Sequence, residues 1–287
     1  MPHKIIFILS GSYLEFVRSH KNILEQKVSA HGASVILTDV TCYPDFLNEH
    51  LTDNSIHKQT LFVTDDPEIF HKLLKSGLYV IALYHENNRN CSFPEASYAV
   101  EDILQLEYRS YTEAYKRLAH LPWDILETER LYVRESTPDD IPDFYRLYQA
   151  PSVADFMEPL FEDPKEEQAY LQDYIKQVYG FYGFGIWTVI LKSTGQIIGR
   201  AGLNIREGYE LPELGFVIDS ALQNQGLAFE VCSAILTYAK EELYFEKIQA
   251  FVQENNIASR KLLEKLGFIY HCTVTENNRE YLQMLFA

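Results

Sequence analysis

The sequence predicts an α/β protein with two domains, one over residues 1–122 and one over residues 126–287. At 287 residues the chain exceeds the usual length of a single domain. Hydrophobic residues make up 47% and charged residues 23% of the chain, which is the balance of a globular protein with an ample core. Apolar runs of strand length alternate with helical spacings through the first domain. This alternation favours a small, mainly parallel, Rossmann-like sheet with helices on its faces.

The first domain repeats a strand, helix, strand pattern. Asp65, Asp66 and Pro67 open one of its helices, and Gly77 ends that helix. The predicted strands cover residues 4–9, 33–37, 60–64 and 78–83, and further helices cover residues 13–30 and 108–121. Because ligands of parallel sheets bind at the carboxyl ends of the strands, any ligand site here would lie at residues 10–12, 64–66 and 84–88.

The second domain is organised around a glycine loop between a strand and a helix. Residues 213–218 form the predicted strand, and Gln223 to Ala228 form the loop. Gly226 and Ala228 are small enough for backbone N–H groups at the helix start to approach a ligand closely, and the helix dipole favours negative charge there. The loop is therefore suited to a pyrophosphate, although an ordinary strand-to-helix turn would show the same residues.

A second strand and helix follow the loop. Residues 245–253 alternate with the period of a strand, Asn256 is suited to cap the next helix, and Gly267 is suited to end it. A hairpin is expected between residues 188–191 and 196–202, and two more strands are expected at residues 268–273 and 281–286.

Two spaced motifs stand out in this domain. The first is Gln223-x-x-Gly226-x-Ala228, and the second is Asn256-x-x-Ser259-x-x-Leu262-x-x-x-Leu266-Gly267-Phe268. Together they resemble the acetyl-CoA core of the GNAT superfamily of N-acetyltransferases. The run Thr128-Glu129-Arg130-Leu131 also resembles the opening of the ribosomal-protein N-terminal acetyltransferase branch. The resemblance covers residues 126–287 and implies a GNAT-type α+β domain with a mixed, mostly antiparallel sheet.

The resemblance also implies an activity and a set of binding residues. It implies an acetyl-CoA-dependent N-acetyltransferase that moves an acetyl group directly to a primary amine, either a protein N-terminus or a small-molecule amine. The pantetheine arm would pair with the backbone of the strand, and the pyrophosphate would face N–H groups of the loop. The implied acetyl-CoA-binding residues are Phe216, Val217, Ile218, Gln223, Gln225, Gly226, Leu227, Ala228 and Asn256.

Direct acetyl transfer requires a base for the incoming ammonium and an acid for the departing thiolate. Glu213 is the predicted base, because apolar neighbours on the strand would raise its pKa. A solvent-facing or arginine-paired glutamate is the alternative. Glu230, near the helix start, is expected to be a structural acid that complements the helix dipole.

The acid is assigned by resemblance to Ser259, which takes that role in the ribosomal-type branch. Many GNAT proteins have a tyrosine in this helix, but Leu263 occupies the matching position. Ser259 and Asn256 would also serve in capping the helix, and capping does not exclude catalysis. Tyr270 is an alternative acid, although a strand tyrosine is more often part of the core.

Glycines alternate with aromatic residues over residues 179–187. One interpretation is a loop that leads into a strand and buries Trp187. The other is a flexible aromatic lip over the acceptor, with Tyr182 and Phe184 as substrate-binding residues.

Residues 61–67 and 77–83 resemble the second half of a haloacid-dehalogenase-like domain. The paired aspartates of that family are absent, since Ser10, Gly11 and Ser12 follow the first strand. The first domain is therefore expected to be a degenerate, non-catalytic module that binds or docks. Two rival functions are a non-catalytic acyl-CoA-binding or scaffold protein and, less favoured, a phosphohydrolase in the first domain.

The net charge of −16 argues against nucleic acid or an anionic membrane as a partner, and it is compatible with a cationic acceptor. The sequence shows no apolar run near eighteen residues and no signal peptide, and its widely spaced cysteines fit free thiols, so a cytoplasmic location is expected. The histidines, including His50, His57 and His85, lack metal-binding spacings, so no metal is expected.

Overall fold

The computed structural model describes residues 1–42 and 59–287, which fold into two compact units, Met1–Trp123 and Asp124–Ala287. Each unit has its own sheet. One sheet is parallel and the other is mostly antiparallel, so the α/β class predicted from the sequence is confirmed.

The first unit is built on a five-stranded parallel sheet. Its strands are β1 (Lys4–Leu9), β2 (Ser34–Asp39), β3 (Thr60–Thr64), β4 (Tyr79–Leu83) and β5 (Ala99–Val100), in the order β2-β1-β3-β4-β5. Phe7 packs in one buried cluster with Tyr111, while Ile6 and Ile8 pack in a second buried cluster. The continuous apolar runs in the sequence exist because both faces of this sheet are covered.

The helices of the first unit, in the described ranges, are α1 (Gly11–Ser19), α2 (Lys21–Ser29), α3 (Pro67–Lys75) and α4 (Tyr108–Leu118). α3 begins where the sequence predicts, and Asp66 caps it, since its Oδ1 accepts from the Ile69 N–H at 2.8 Å. Pro67 occupies the first turn, where a missing N–H costs nothing.

The single helix predicted over residues 13–30 is wrong, because α1 and α2 meet at a break. The backbone of His20 (φ −112°, ψ 14°) leaves the helical region. The Ser19 hydroxyl donates to the Phe16 carbonyl at 2.7 Å, and His20 Nδ1 lies 2.9 Å from the same oxygen. Side chains that bond nearby backbone groups compete with the helix, which accounts for the break.

The second unit contains an eight-stranded sheet. Its strands are β6 (Asp124–Glu127), β7 (Leu131–Arg134), β8 (Ile186–Leu191), β9 (Gln196–Ile205), β10 (Pro212–Ile218), β11 (Ile248–Val252), β12 (Ile269–Glu276) and β13 (Arg279–Phe286), in the order β12-β13-β11-β10-β9-β8-β7-β6. β10 and β11 run parallel, and the other neighbouring pairs run antiparallel. The predicted mixed, mostly antiparallel sheet is confirmed.

The helices of this unit are α5 (Ile141–Tyr148), α6 (Pro151–Ala154), α7 (Pro164–Tyr174), α8 (Gly180–Tyr182), α9 (Leu227–Glu241) and α10 (Ile257–Leu266). α9 buries the apolar stripe that includes Val231, Cys232 and Ile235. α10 ends at Gly267 (φ +98°), as the sequence predicts.

The glycine-aromatic stretch before β8 is more helical than the predicted loop. A π turn over Ile175–Tyr179 joins α7 to α8, and Gly183 (φ +74°) ends α8. The Tyr179 hydroxyl donates to the Ile186 carbonyl, and the Tyr174 hydroxyl accepts from the Ile186 N–H at 2.8 Å. These two tyrosines anchor the stretch to the start of β8.

β10 and β11 separate soon after they meet. In the described residues they share one register pair, Glu213 opposite Gln249. β9 pairs with β10 from Pro212 to Ile218, so β10 keeps a partner on one side and loses its partner on the other. This divergence opens a groove in the middle of the sheet.

Gly202 of β9 is required where β8 and β9 approach each other. A Cβ at Gly202 would lie 2.0 Å from the Gly185 carbonyl oxygen, whereas a Cβ at helical Gly180 would lie 3.7 Å from its nearest neighbour. We expect Gly202→Ala to destabilise the second unit by about 1–3 kcal/mol, because backbone atoms must move to admit the methyl group. Gly180→Ala, the matched control, should be neutral or stabilising by up to about 1 kcal/mol. Differential scanning calorimetry checks both, and equal unfolding temperatures would contradict the close approach.

Candidate functional site

A cavity of about 550 Å³ opens where β10 and β11 diverge. It lies between the end of β10, the loop before α9 and the start of α10. Nine of the predicted site residues line it together: Phe216, Val217, Ile218, Gln223, Gly226, Leu227, Ala228, Asn256 and Ser259. Residues from two distant segments of the sequence therefore meet in one space.

The loop at the start of α9 is shaped by backbone conformation. Gly226 (φ +79°) is the residue before the first helical position, and Asn224 also has a positive φ of 61°. The Gln223 amide donates to the Ile218 carbonyl at 3.3 Å, which ties the loop back to the end of β10. The first N–H groups of α9 have no partner within the helix, so this end of the cavity favours an anion.

The opposite wall is the start of α10. The Asn256 side chain accepts from the Ser259 N–H at 3.1 Å, so the predicted capping interaction is present. Leu263 is buried, 1% exposed, in the core beneath the helix. Tyr270 is 56% exposed, and it lines a second cavity with Glu254 and Arg260 rather than the first. Ser259 is thus the predicted acid that lies at the main cavity.

Glu213 lies outside the lining of the cavity and is paired with an arginine. Both of its carboxylate oxygens lie 3.1 Å from NH1 of Arg206. Arg206 binds Glu276 more extensively, through both Nε and NH2. Burial raises the pKa of Glu213 above its ordinary value, and the charge and hydrogen bond of Arg206 offset this only in part. The hydrogen bond from Arg206 lowers the pKa of Glu276.

Three other predicted site residues also lie outside this lining. The Gln225 carbonyl accepts from Arg130 at 3.0 Å. Phe184 is buried against Phe245, with ring centroids 5.3 Å apart. Tyr182 is 45% exposed and lies beside Phe184. Their proposed roles stay predictions.

The structure adds lining residues that the sequence reasoning missed. Ser152 and Val153 of α6, together with Phe156 and Met157, form one side of the cavity. Nothing in the pattern of that segment distinguishes it from an ordinary loop. Phe229 and Lys265 also line the cavity, and the sequence pattern could have identified them. Phe229 lies three residues after Gly226 and Lys265 lies three residues after Leu262, a spacing that places them on the same helix face.

The predicted strand ends of the first unit also come together. Asp65 Oδ2 accepts from the Ser10 hydroxyl at 2.9 Å and lies 3.0 Å from His85 Nε2. The Asn88 amide donates to the Asp65 carbonyl at 3.0 Å. The carboxylate of Asp65 is therefore engaged by its own neighbours.

Residues 1–42 and 59–287 contain no group of three or more His, Cys, Asp or Glu side chains able to hold a metal ion. His50 and His57 lie outside the described residues. Within the same ranges no helix combines the length and the apolar character needed to cross a membrane.

Substitutions at Asn256 test how much its side-chain cap stabilises α10. Asn256→Ala removes the capping acceptor and should cost about 1 kcal/mol of stability. Asn256→Asp retains the acceptor and should leave stability within a few tenths of a kcal/mol, about the difference among good caps. Urea denaturation followed by circular dichroism measures both changes. An Asp variant as unstable as the Ala variant would show that the cap is not the reason for the loss.

The chain is similar to known acetyltransferases over part of its length. Residues 130–269 match the family model of the acetyltransferase (GNAT) domain. The N-acetyltransferase YjdG of Bacillus subtilis is 28% identical over 119 residues, which are 41% of this chain and 68% of YjdG. YoaA of the same species, also an N-acetyltransferase, is 27% identical over 151 residues, which are 50% of this chain and 82% of YoaA. A solved GNAT-family acetyltransferase from Bacillus anthracis covers 56% of this chain and 96% of its own, with 20% identity and a TM-score of 0.48. Residues 130–269, which lie within the second unit, are therefore a GNAT acetyltransferase domain.

Proposed function

We propose that the second unit transfers an acetyl group from acetyl-CoA directly to a primary amine. The observation that carries this proposal is the cavity at the divergence of β10 and β11, with a glycine loop at one end and the start of α10 on its wall. A protein N-terminus is the favoured acceptor, because the Thr128-Glu129-Arg130-Leu131 run resembles the ribosomal-type branch. A small-molecule amine is the other candidate.

The end of β10 fits the pantetheine arm. Its residues from Phe216 to Ile218 pair with β9 on one side, and beyond Glu213 they face the groove on the other. Backbone N–H and C=O groups on that open side need partners. The amides of pantetheine supply such partners, in the manner of an added strand.

The loop end of the cavity fits the pyrophosphate. Gly226 brings the backbone close to the ligand, and the start of α9 directs N–H groups and the positive end of the helix dipole toward it. Lys265 adds a positive charge on the cavity wall, with its Nζ 4.2 Å from the Phe229 ring centroid. These groups attract an anion in spite of the net charge of −16.

Acetyl-CoA supplies a thioester, and a C–N bond to the acceptor forms as the C–S bond breaks. Glu213 is the proposed base for the ammonium proton, because its raised pKa increases its affinity for a proton. The negative charge of Glu158 contributes to that raised pKa, and Glu158 follows Met157 of the cavity lining. Because Glu213 lies outside the cavity lining, a water molecule would complete the path for the proton. Ser259 is the proposed donor to the thiolate.

The remaining assignments follow from the same frame. Tyr182 is proposed to contact the acceptor, together with Phe184. The first unit is proposed to bind or dock a partner, because Ser10 stands where a haloacid-dehalogenase-like enzyme would have an aspartate. Free cysteines in both units, such as Cys91 and Cys232, fit the reducing cytoplasm.

Ligand binding is tested by thermal unfolding with and without acetyl-CoA. At a hundredfold excess over Kd, binding should add about 2.7 kcal/mol, which raises the unfolding temperature by several degrees. Gly226→Glu places a negative charge in the loop and should abolish the rise. Gly226→Ala imposes the same strained φ without the charge. It should therefore lower the unfolding temperature of the free protein but keep part of the increase caused by acetyl-CoA. No rise in the native protein would contradict the proposed donor.

Catalysis is tested by Glu213→Gln and Ser259→Ala. Each should lose turnover by about 10²-fold or more and retain acetyl-CoA binding, because general acid–base groups contribute 10²–10⁴-fold. Turnover that stays unchanged in both variants would exclude these roles. A native protein that binds acetyl-CoA but shows no turnover would favour the rival function, a non-catalytic acyl-CoA-binding protein.

The pH profile gives a signed test of Glu213. As a base it acts when deprotonated, so kcat/KM should fall as pH drops through its raised pKa. Glu276→Gln removes a negative charge that raises the pKa of Glu213, and the acid limb should therefore move to lower pH. Arg206→Gln removes the offsetting positive charge and should move the limb to higher pH. Shifts in the opposite directions would assign the base elsewhere.

A further inference from the structure

We propose that Arg130 is a positioning residue that orients the peptide between Gln225 and Gly226 toward the pyrophosphate of acetyl-CoA. Arg130 lies outside the lining of the cavity and acts through the loop. This inference rests on the function proposed above and extends it, since it explains how the phosphate-binding loop is held in shape.

Glu230 of α9 holds the guanidinium of Arg130. Its Oε2 accepts from Arg130 Nε at 2.6 Å and lies 2.6 Å from NH2 in an ion pair, and its Oε1 accepts from the Arg130 N–H at 2.9 Å. The Thr128 hydroxyl donates to the same Oε1. Burial opposes the charge of Glu230, but the hydrogen bonds from Thr128 and Arg130 outweigh it and hold the pKa of this carboxyl below its usual range. The carboxylate stays ionised and fixes Arg130 through both main chain and side chain.

The remaining arm of the guanidinium reaches the loop. Arg130 NH1 donates to the Gln225 carbonyl at 3.0 Å. In a trans peptide the C=O and N–H groups point in opposite directions, so this bond turns the Gly226 N–H away from Arg130. A Cβ on Gly226 would lie 3.6 Å from Arg130 NH2, so the guanidinium packs against the glycine itself. Gly226 lines the cavity, and its N–H is thus directed at the ligand side.

This arrangement needs the shape of arginine as well as its charge. The planar fork of Arg130 bonds Glu230 with two nitrogens and Gln225 with a third. A lysine ammonium is a single point charge and cannot make these bonds in a fixed plane. Arg130→Lys therefore keeps a positive charge near the loop but no longer orients the peptide between Gln225 and Gly226. The variant thus separates electrostatic attraction of the phosphate from orientation of the loop.

The experiment compares Arg130→Lys, Glu230→Gln and the double variant by calorimetric titration with acetyl-CoA. Each single change should weaken binding about tenfold, as expected for loss of a charge-assisted hydrogen bond. The double variant should be no weaker than the worse single variant, because both changes break the same link. In ¹⁵N–¹H spectra without ligand, the Gly226 amide signal should move in both single variants, a shift that a general loss of stability would not produce. Arg18→Lys, at an exposed pair with Glu15 in the first unit, is the matched control and should change neither readout.

The outcomes separate this inference from the proposed function. If Arg130→Lys binds acetyl-CoA as tightly as the native protein and its Gly226 amide signal does not move, the positioning role is overturned and the proposed function is unaffected. Fully additive effects in the double variant would show that Glu230 does not act through Arg130, which also overturns it. Native protein that does not bind acetyl-CoA would overturn the function, while the Gly226 signal would still report whether Arg130 orients the peptide.

Discussion

The candidate site depends on the point where β10 and β11 meet. Gln249, 1% exposed, forms the single register pair with Glu213 in the described residues and donates to the Leu211 carbonyl at 2.7 Å. Gln283 of β13 donates to Gln249 Oε1 at 2.7 Å and accepts from Cys272 at 3.1 Å. A buried amide whose nitrogen and oxygen are both hydrogen-bonded resists local opening. This network closes one end of the groove, so the strands can diverge beyond it without loss of the sheet.

Charge is arranged around that groove in local pairs. Arg130 is matched by Glu230, and Arg206 is shared by Glu276 and Glu213. Because these charges are paired, the proposed binding of an anion at the loop relies on short-range groups, which are the backbone N–H groups at the start of α9 and the Lys265 ammonium. The two glutamates on this guanidinium differ because burial raises the pKa of Glu213, whereas the hydrogen bond from Arg206 lowers the pKa of the more exposed Glu276.

Features that depend on neighbouring residues could be predicted from the sequence, whereas contacts between distant residues could not. The loop at Gly226 and the cap at Asn256 each depend on neighbours within a few positions, and both lie where expected. The partner of Glu230 is a hundred residues away, and no period in the sequence links it to Arg130. Val153 of α6 reaches the cavity only through tertiary packing. An arginine partner for Glu213 is one possibility that the sequence leaves open, and the three-dimensional arrangement supplies it as Arg206, while the role of Glu213 as a base stays a prediction.

In both units the carboxyl ends of neighbouring parallel strands bring loops together, but the resulting structures differ. In the first unit β1 and β3 stay in register from Lys4 and Thr60 to Ile8 and Thr64. Their loops therefore converge, and Asp65 is bonded by Ser10 and lies beside His85, so the polar groups satisfy one another. In the second unit β10 and β11 leave register after one pair, and the same strand ends surround an open space instead. Whether parallel strand ends form a closed polar cluster or a cavity is thus decided by how far the strands remain paired.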